Sequence, residues 1–222
     1  MEAESAGTRR RGFLKGVAAA AAALIAGKWS DAGAETLSLL SKPDLSDAWV
    51  KKIHGRHRQV FDAVEPNNGL AAAYALNFID SFKQAHNTPD SDITAVVSYR
   101  HFAMALTLDD ATWKKYKIGE LINVTDPATK APATRNIFRD NIMMRPGLTY
   151  EALTATHPVV ITACNMALTV LSGMAASKAG VTAEQAKADW VAGLLPGVNL
   201  VPSGVYAVSR AQEAGCSYCS AG

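Results

Sequence analysis

The sequence predicts an α/β fold, a three-layer sandwich built on a mostly parallel sheet of about five strands. Short apolar, β-branched runs alternate along the chain with longer segments in which apolar residues recur at helical spacing. Strands that alternate with helices form right-handed βαβ units, and these place a parallel sheet between two layers of helices. The chain has 222 residues and is 49% hydrophobic, which is enough for one globular domain with a sizeable core.

The predicted strands and helices follow one another from residue 57 onward. Apolar runs bounded by turn residues predict four strands, with a last edge strand at the C-terminus: 57–64, 93–99, 159–163 and 199–202. Helical spacing and capping patterns predict the helices: 70–86, one starting at Thr107-x-x-Asp110, 150–156, one that follows Asn165 and ends at Ala179, one that carries Trp190 after Thr182-x-x-Gln185, and 204–214. Residues 118–148 lack a regular pattern and predict a long insertion, functional or an oligomer contact.

The first 34 residues have the three parts of a secretory signal. A basic region is followed by the short apolar stretch Val17–Gly27 and by the small-residue site Ala32–Ala34. Within the basic region, Arg10–Lys15 (RRGFLK) resembles the twin-arginine (Tat) signature R-R-x-F-L-K. We therefore expect export of the folded chain through the Tat translocase into the periplasm, with the signal cleaved near Ala34. An ordinary Sec signal is the alternative.

The predicted organisation continues with a lead-in segment at 35–55, which has a short helix around Trp49, and one α/β domain at 56–222. Of the 22 Lys and Arg and the 20 Asp and Glu residues, the leader holds five and three, which leaves 17 of each in the remainder. The absence of net charge over residues 35–222 argues against nucleic acid as a partner, since phosphate binding requires a basic face.

Cys164 is the residue around which the predicted chemistry is arranged. It lies where the buried strand 159–163 turns into a helix, and in open α/β sheets this carboxyl edge is where ligands bind. A thiol at a helix N-terminus is near the positive end of the dipole, which favours the thiolate and a nucleophilic role. A small buried hydrophobic residue is the alternative. Asn165 follows directly, as a second site residue or only as the cap of the helix.

Arg100 and His101 directly follow the second predicted strand. The tips of this strand and of the Cys164 strand are expected to face one cleft. There the imidazole would lower the thiol pKa or act as a base, and the guanidinium would hold an anionic sulfur species. A surface or capping histidine is the alternative for His101.

Cys216 and Cys219 form a C-x-x-C pair close to the C-terminus. Ser220 stands where haem attachment requires histidine, which excludes that role. Three interpretations remain: a simple disulfide in an oxidising compartment, a redox dithiol, or a tail that folds back beside Cys164 so that one thiol resolves a persulfide or mixed disulfide there.

No metal or cofactor is predicted. The His54-x-x-His57 spacing occurs in metal sites, but the sequence supplies no third ligand nearby, and the flanking basic residues disfavour a cation. Gly-rich phosphate-binding motifs and the G-x-S-x-G nucleophile motif do not occur in the chain, which removes the simplest nucleotide-binding and hydrolase interpretations.

Three segments together resemble the DsrE/DsrF-like family: 161–174 (ITACNMALTVLSGM), 196–205 (PGVNLVPSGV) and 210–215 (RAQEAG). The resemblance covers the chain from about residue 56 to the C-terminus, except for the insertion after Ile118. It implies a sulfur-relay fold of flavodoxin-like topology, assembled into trimers or hexamers, whose strand-tip cysteine carries a persulfide. Only Cys164 corresponds to that cysteine. Well-characterised members work in the cytoplasm, and an exported chain departs from them.

The sequence therefore leads to two functional hypotheses. The first is an exported, oligomeric DsrE-like protein that carries or transfers sulfur through Cys164 between a donor and an acceptor protein. The second is a non-catalytic binding or assembly module of the periplasm, in which the thiols are structural and the insertion serves as an interface.

Overall fold

The computed structural model describes residues 43–143 and 145–222. The predicted signal at 1–34 and the first part of the lead-in segment lie outside the described residues. The described chain from Pro43 to Gly222 forms one compact unit.

Five parallel strands form the central sheet: β1 (His57–Ala63), β2 (Ile93–Tyr99), β3 (Val159–Cys164), β4 (Val198–Val201) and β5 (Ser217–Ser220). The helices between them are α1 (Leu70–His86), α2 (Asp110–Tyr116), α3 (Ile118–Leu121), α4 (Tyr150–Thr156), α5 (Asn165–Ala176), α6 (Ala183–Ala192) and α7 (Gly204–Glu213). Single turns of 3-10 helix occur at Asn67–Gly69, Asp90–Asp92 and Ser177–Ala179, and longer ones at Asp47–Lys52 and His101–Thr107. These elements confirm the predicted α/β fold.

The strands are arranged in the order β4-β3-β2-β1-β5. Three successive crossovers step in one direction from β1 to β4, and only the last one, through α7, returns across the sheet to place β5 beside β1. A flavodoxin-like sheet has the order 2-1-3-4-5, with its reversal after the first crossover. The predicted flavodoxin-like topology is therefore wrong in strand order, although the parallel strands and the layers are as predicted.

The two faces of the sheet are covered unequally. On one face, β1, β2 and β3 pack against α1, α5 and the 3-10 helix His101–Thr107 in the larger core cluster. On the other face, Val60, Val96 and Val160 pack against Ala207 and Ala211 of α7. Alternation of side chains along each strand accounts for this division, because residues i and i+2 lie on the same face.

The 3-10 helix Asp47–Lys52 completes the α7 face. Trp49, whose exposed fraction is 1%, lies in the same cluster as Val60 and Ala207. Residues 43–55 therefore belong to the same compact unit as the rest of the described chain. The physical reason is that α7 alone leaves part of this face of the sheet uncovered, and a large aromatic side chain buries it.

Most predicted element boundaries agree with the structure within one or two residues, including α1 over 70–86 and β2 over 93–99. The start of α2 differs. Its N-cap is Asp109, whose side chain accepts the N–H of Thr112 at 2.8 Å. Thr107 is not a cap, because its hydroxyl is buried and donates to the carbonyl of Met104 at 2.7 Å.

The insertion after α2 is packed onto the larger core. Ile118, Val124 and Ala133 are buried there, and two two-residue strands, Asn141–Ile142 and Arg145–Pro146, form an antiparallel pair. Asn136 holds the insertion to the domain. Its Nδ2 atom donates to the carbonyls of Leu106 and Leu108, at 2.8 Å each, and the side chain is 1% exposed.

We predict that Asn136→Ala lowers the free energy of unfolding by about 1–2 kcal/mol, because it leaves two buried carbonyls without their donor. Urea denaturation followed by circular dichroism measures the change. Thr129→Ala, at an exposed position of the same insertion, is the matched control and should leave the unfolding midpoint unchanged. Equal midpoints for the wild-type chain and Asn136→Ala would contradict this role.

Within the described residues, no helix combines the length and the apolar character that crossing a membrane requires.

Candidate functional site

Cys164 is the last residue of β3 and the N-cap of α5. Its Sγ atom accepts the backbone N–H of Ala167 at 3.3 Å, the role that a serine or aspartate oxygen usually fills at this position. The side chain is 5% exposed and belongs to neither apolar core cluster, while Met166 beside it is 60% exposed. The thiol thus lies just below the surface, and a backbone dipole points at its sulfur.

The strand order places Cys164 at a crevice in the sheet edge. Cys164 pairs with Val201 of the neighbouring β4. After β3 the chain enters α5, whose Leu168 and Leu171 pack on the larger core, whereas after β4 it enters α7, which packs on the opposite face. Two adjacent parallel strands whose helices diverge to opposite faces leave a crevice at their carboxyl ends, which is where ligands bind in open α/β sheets.

Arg100 lies at the same edge, held by a buried carboxylate. Its Nε and Nη2 atoms donate to the two oxygens of Asp62 at 2.7 and 2.9 Å, and Asp62 is only 4% exposed. The hydroxyl of Tyr218 donates to the same carboxylate at 3.1 Å. The hydrogen bonds to Asp62 raise the pKa of Arg100, and the charge of Cys164 makes a smaller contribution in the same direction. The guanidinium is therefore held at the sheet edge where Cys164 lies, since Tyr99 pairs with Ala163 and Arg100 and Cys164 each directly follow this pair.

Gly204, the first residue of α7, makes room for this arginine. A Cβ atom built on Gly204 would lie 2.3 Å from the Cβ of Arg100 and 2.8 Å from its Cδ. Only a residue without a side chain lets the first turn of α7 lie this close to the stem of Arg100.

A polar row crosses the sheet beneath this turn. Asp62 pairs with Ser98, and Ser98 with Thr162, so three neighbouring strands place one polar residue each on the α7 face. Ser98 and Thr162 are fully buried, and their hydroxyls have no hydrogen-bond partner within the described residues. A buried polar group without a partner costs about 1–3 kcal/mol. Such a row points to a role other than stability.

The sequence analysis did not identify Asp62, Ser98 or Thr162. Each follows an otherwise apolar run near the end of its strand, and this repeated position was the available signal. Their register, which brings them into one row, comes only from strand pairing.

The structure places His101 at the same edge but directs it elsewhere. Its backbone has a positive φ of 50°, its Nδ1 atom lies 3.2 Å from Oε1 of Glu65, and its ring contacts Phe102 edge-on. The imidazole thus lies toward Glu65, which follows β1, and within the described residues it makes no hydrogen bond or ion pair with Cys164. Asn165 lies beside the thiol, but Cys164 itself caps α5, and the Oδ1 atom of Asn165 is buried without a partner in the described part of the chain.

The two C-terminal cysteines are not brought to Cys164. The strand β5 is separated from β3 by β1 and β2. Cys216 lies in the α7-face cluster and Cys219 packs against the opposite core, so their thiols are on different faces and all three cysteines are free. The disulfide and the resolving pair are therefore not formed within one molecule, because a three-residue spacing on an extended strand sends two side chains to opposite faces. Burial raises the pKa of Cys216 to about 11.

The two histidines of the His54-x-x-His57 pair have different surroundings. The Nδ1 atom of His54 lies 3.4 Å from the hydroxyl of Thr94, while the ring of His57 stacks on Phe82 at 4.0 Å. Among the residues that the structure describes, no group of three or more His, Cys, Asp or Glu side chains is arranged to hold a metal ion.

The larger of the two cavities described lies elsewhere. It has a volume of about 390 Å³ and lies between the turn 66–68 and residues 122–125 and 137–138. Its lining contains no titratable side chain, so the nucleophile and the charged groups of the candidate site are all outside it.

Four large apolar side chains of the described residues are exposed. Met166 and Val205 are exposed in the first turns of α5 and α7, and Tyr218 is 49% exposed above Asp62. Tyr74, the fourth exposed large apolar residue of the described chain, lies in the second turn of α1. Met166, Val205 and Tyr74 lie toward the carboxyl edge of the sheet, because each helix that follows a strand begins there, whereas Tyr218 is on the edge strand β5.

No protein-family model matches the chain, and neither a curated protein nor a solved structure matches it. The candidate site accordingly rests on the geometry of Cys164, Arg100 and Asp62 and on the polar row beside them.

Proposed function

We propose that this chain is an exported, DsrE-like sulfur carrier that holds a persulfide on Cys164 and passes it between a donor and an acceptor protein. The observation that supports this most is the position of the Cys164 sulfur, which accepts the Ala167 N–H at the start of α5 and lies at the same sheet edge as Arg100. An amide N–H and a guanidinium are groups that stabilise an anionic persulfide.

The chemistry needs only these groups. The Cys164 thiolate attacks the outer sulfur of a donor persulfide, a new S–S bond forms, and the donor leaves as a thiolate with the electron pair of the broken bond. The transferred sulfur then carries the negative charge, and the amide dipoles of α5 and the guanidinium of Arg100 stabilise it. No external oxidant is required, because the sulfur arrives already in the persulfide state.

The exposed side chains near Cys164 are consistent with a carrier that binds other proteins. The exposed Met166, Val205 and Tyr218 side chains give the carboxyl edge an apolar rim. Such a rim is typical of a surface that contacts protein partners, here a donor, an acceptor or another copy in a trimer or hexamer. The Tat-type leader adds export in the folded state and a periplasmic location to the proposal.

Cys164→Ser should abolish sulfur loading while leaving the fold intact, because a serine hydroxyl also caps a helix. The purified, reduced protein is mixed with a persulfide donor, and its intact mass is measured before and after treatment with dithiothreitol. The wild-type chain should gain one sulfur atom that dithiothreitol removes. The double variant Cys216→Ala with Cys219→Ala should gain it too, because those thiols are distant from Cys164. A sulfur atom that remains on Cys164→Ser would contradict the proposal.

The second candidate function is a non-catalytic binding or assembly module of the periplasm with structural thiols. The 5% exposure of Cys164 and the apolar rim favour it. Alkylation of the native protein separates the two functions. If Cys164 reacts with iodoacetamide only when the chain is unfolded, the module is the better description; reaction in the folded state, faster than that of the buried Cys216, favours the carrier.

A further inference from the structure

The strand β5 forms one edge of the sheet, and its outer side is open. Among the described residues it pairs only with β1. Ser217, Tyr218 and Ser220 are exposed. Proteins usually protect such an edge with charged residues, proline or a bulge. The strand contains no charged residue and no proline, and its pairing with β1 runs without an extra residue. The edge can therefore pair with another strand.

The hydrogen bond of Ala221 shows which backbone groups of β5 point outward. Its N–H donates to the carbonyl of Asp62 on β1 at 3.0 Å. Backbone groups of successive residues point to opposite sides of a strand, so those of Cys219 also face β1. The N–H and C=O groups of Tyr218 and Ser220 therefore point away from the sheet. This spacing of donors and acceptors is the one that an antiparallel strand requires.

A second copy of β5 matches these groups. Two copies related by a two-fold axis perpendicular to the sheet meet as antiparallel strands. When Tyr218 of each copy lies opposite Ser220 of the other, both donors and both acceptors of each edge form hydrogen bonds. A register shifted by two residues brings in Cys216 or Gly222 instead. The N–H of Cys216 and the carbonyl of Gly222 are already bonded within their own chain.

This register places the Cys219 residues of the two copies opposite each other at the two-fold axis. They form a non-hydrogen-bonded pair, whose Cα atoms are about 4.5 Å apart, within the range of about 4.4–6.8 Å that a disulfide spans. Of the three cysteines, all of them in the described chain, Cys219 is partly exposed and the other two are buried. Its Sγ atom donates to the carbonyl of Ser220 at 3.4 Å. Since that carbonyl points outward, the sulfur lies at the open edge.

The ring of Tyr218 supports the same pairing from the other face of the strand. It is 49% exposed, and its side chain alternates with that of Cys219. In this register the Tyr218 residues of the two copies are diagonal neighbours, at a distance that aromatic side chains bridge. Contact between the two rings removes apolar surface from water, which favours association.

We propose that β5 is a dimerisation edge, at which two copies of this chain join their sheets into one continuous sheet and a disulfide between the two Cys219 residues fixes the dimer. The inference is independent of the sulfur chemistry proposed for Cys164. The contact is small, and association of two proteins has a large entropic cost. The dimer therefore persists when the disulfide is formed and dissociates when it is reduced.

The oxidant is a small disulfide such as oxidised glutathione. The Cys219 thiolate of one copy attacks it, a mixed disulfide forms, and one glutathione leaves as a thiolate. The Cys219 thiolate of the second copy then attacks the protein sulfur of the mixed disulfide and releases the other glutathione. The two cysteines lose two electrons and two protons, and the glutathione disulfide gains both to become two thiols.

Oxidation of the wild-type chain with oxidised glutathione tests the pairing. Intact mass should show a dimer lighter by two hydrogen atoms than two chains, and peptide mapping should place the disulfide at Cys219. The variant Cys164→Ser with Cys216→Ala should form the dimer at the wild-type rate, and Cys219→Ser should not form it. Adding Thr129→Cys to Cys219→Ser puts a thiol at an exposed position outside β5. This control measures chance collision and should cross-link at least tenfold more slowly than wild type.

Two substitutions of Ser220 test the hydrogen bonding of the edge. Proline removes an N–H that points outward, so the pairing with β1 stays complete and the fold is retained. Ser220→Pro should form the disulfide dimer at least tenfold more slowly than Ser220→Ala, which keeps the N–H. Thermal melts confirm that both variants are folded.

A wild-type chain that cross-links no faster than the Thr129→Cys control would overturn the inference, as would a glutathione adduct without a dimer. Equal rates for the two Ser220 variants would also overturn it, because the edge would then not be paired. None of these results depends on sulfur loading, since they are also measured with serine in place of Cys164. Failure of the dimer and failure of the carrier function are therefore distinguishable.

Discussion

Replacement of Trp49 by alanine is expected to lower the free energy of unfolding by about 3–5 kcal/mol, the usual range for removing a fully buried tryptophan. Trp49 is 1% exposed and contacts the part of the sheet that α7 leaves uncovered, in one cluster with Val60 and Val96. Its loss opens a cavity between the 3-10 helix Asp47–Lys52 and the sheet. Urea denaturation followed by circular dichroism measures the change.

Trp49→Phe is the matched control, with an expected loss of about 1–2 kcal/mol. Phenylalanine keeps most of the packing and removes the indole N–H, which is buried without a partner in the described residues. If Trp49→Ala unfolds at the same urea concentration as the wild-type chain, residues 43–55 are not part of the folded domain.

Gly204→Ala should destabilise the protein by about 2–3 kcal/mol, through overpacking against the stem of Arg100. The expected loss of stability is opposite to the usual effect, because alanine at a helical position normally stabilises a protein by about 0.5–1 kcal/mol relative to glycine. Here the added Cβ would lie 2.3 Å from the Cβ of Arg100, so either α7 or the arginine must move.

The same substitution separates packing from function. Because the displaced Arg100 loses its position beside Cys164, sulfur loading should slow at least tenfold under conditions in which the variant remains folded. Val205→Ala is the control: Val205 follows Gly204 in the first turn of α7 and is 66% exposed. This variant shows whether any substitution in that turn slows sulfur loading. A Gly204→Ala chain that is more stable than wild type would refute the close approach of α7 to Arg100.

Much of the site was accessible from local sequence. The strand that ends at Cys164, the helix that follows it and the position of Arg100 after β2 were all predicted, and parallel strands bring such ends to one edge of a sheet. The partner of Arg100 was not predicted. Asp62 is 38 residues away in the chain, and only the pairing of β1 with β2 brings the two side chains together.

The C-x-x-C pair shows what local sequence cannot determine about the site. Spacing alone allows Cys216 and Cys219 to form a small disulfide or to approach Cys164. Cys216 directly precedes the edge strand β5 and Cys219 lies in it, and β1 and β2 separate this strand from β3, which keeps both thiols away from Cys164. The two thiols lie on opposite faces of the sheet, which prevents a disulfide between them.

From the sequence by itself came the α/β class, the succession of strands and helices, and the thiol at the tip of a central strand. These follow from apolar periodicity, capping residues and turn residues, all of which act over a few positions of the chain. The tertiary structure alone decided the strand order, the burial of Trp49, the Arg100–Asp62 pair and the row from Asp62 to Thr162. Each of these depends on register and crossover direction between distant segments, and the free energy that selects them comes from packing whole faces together.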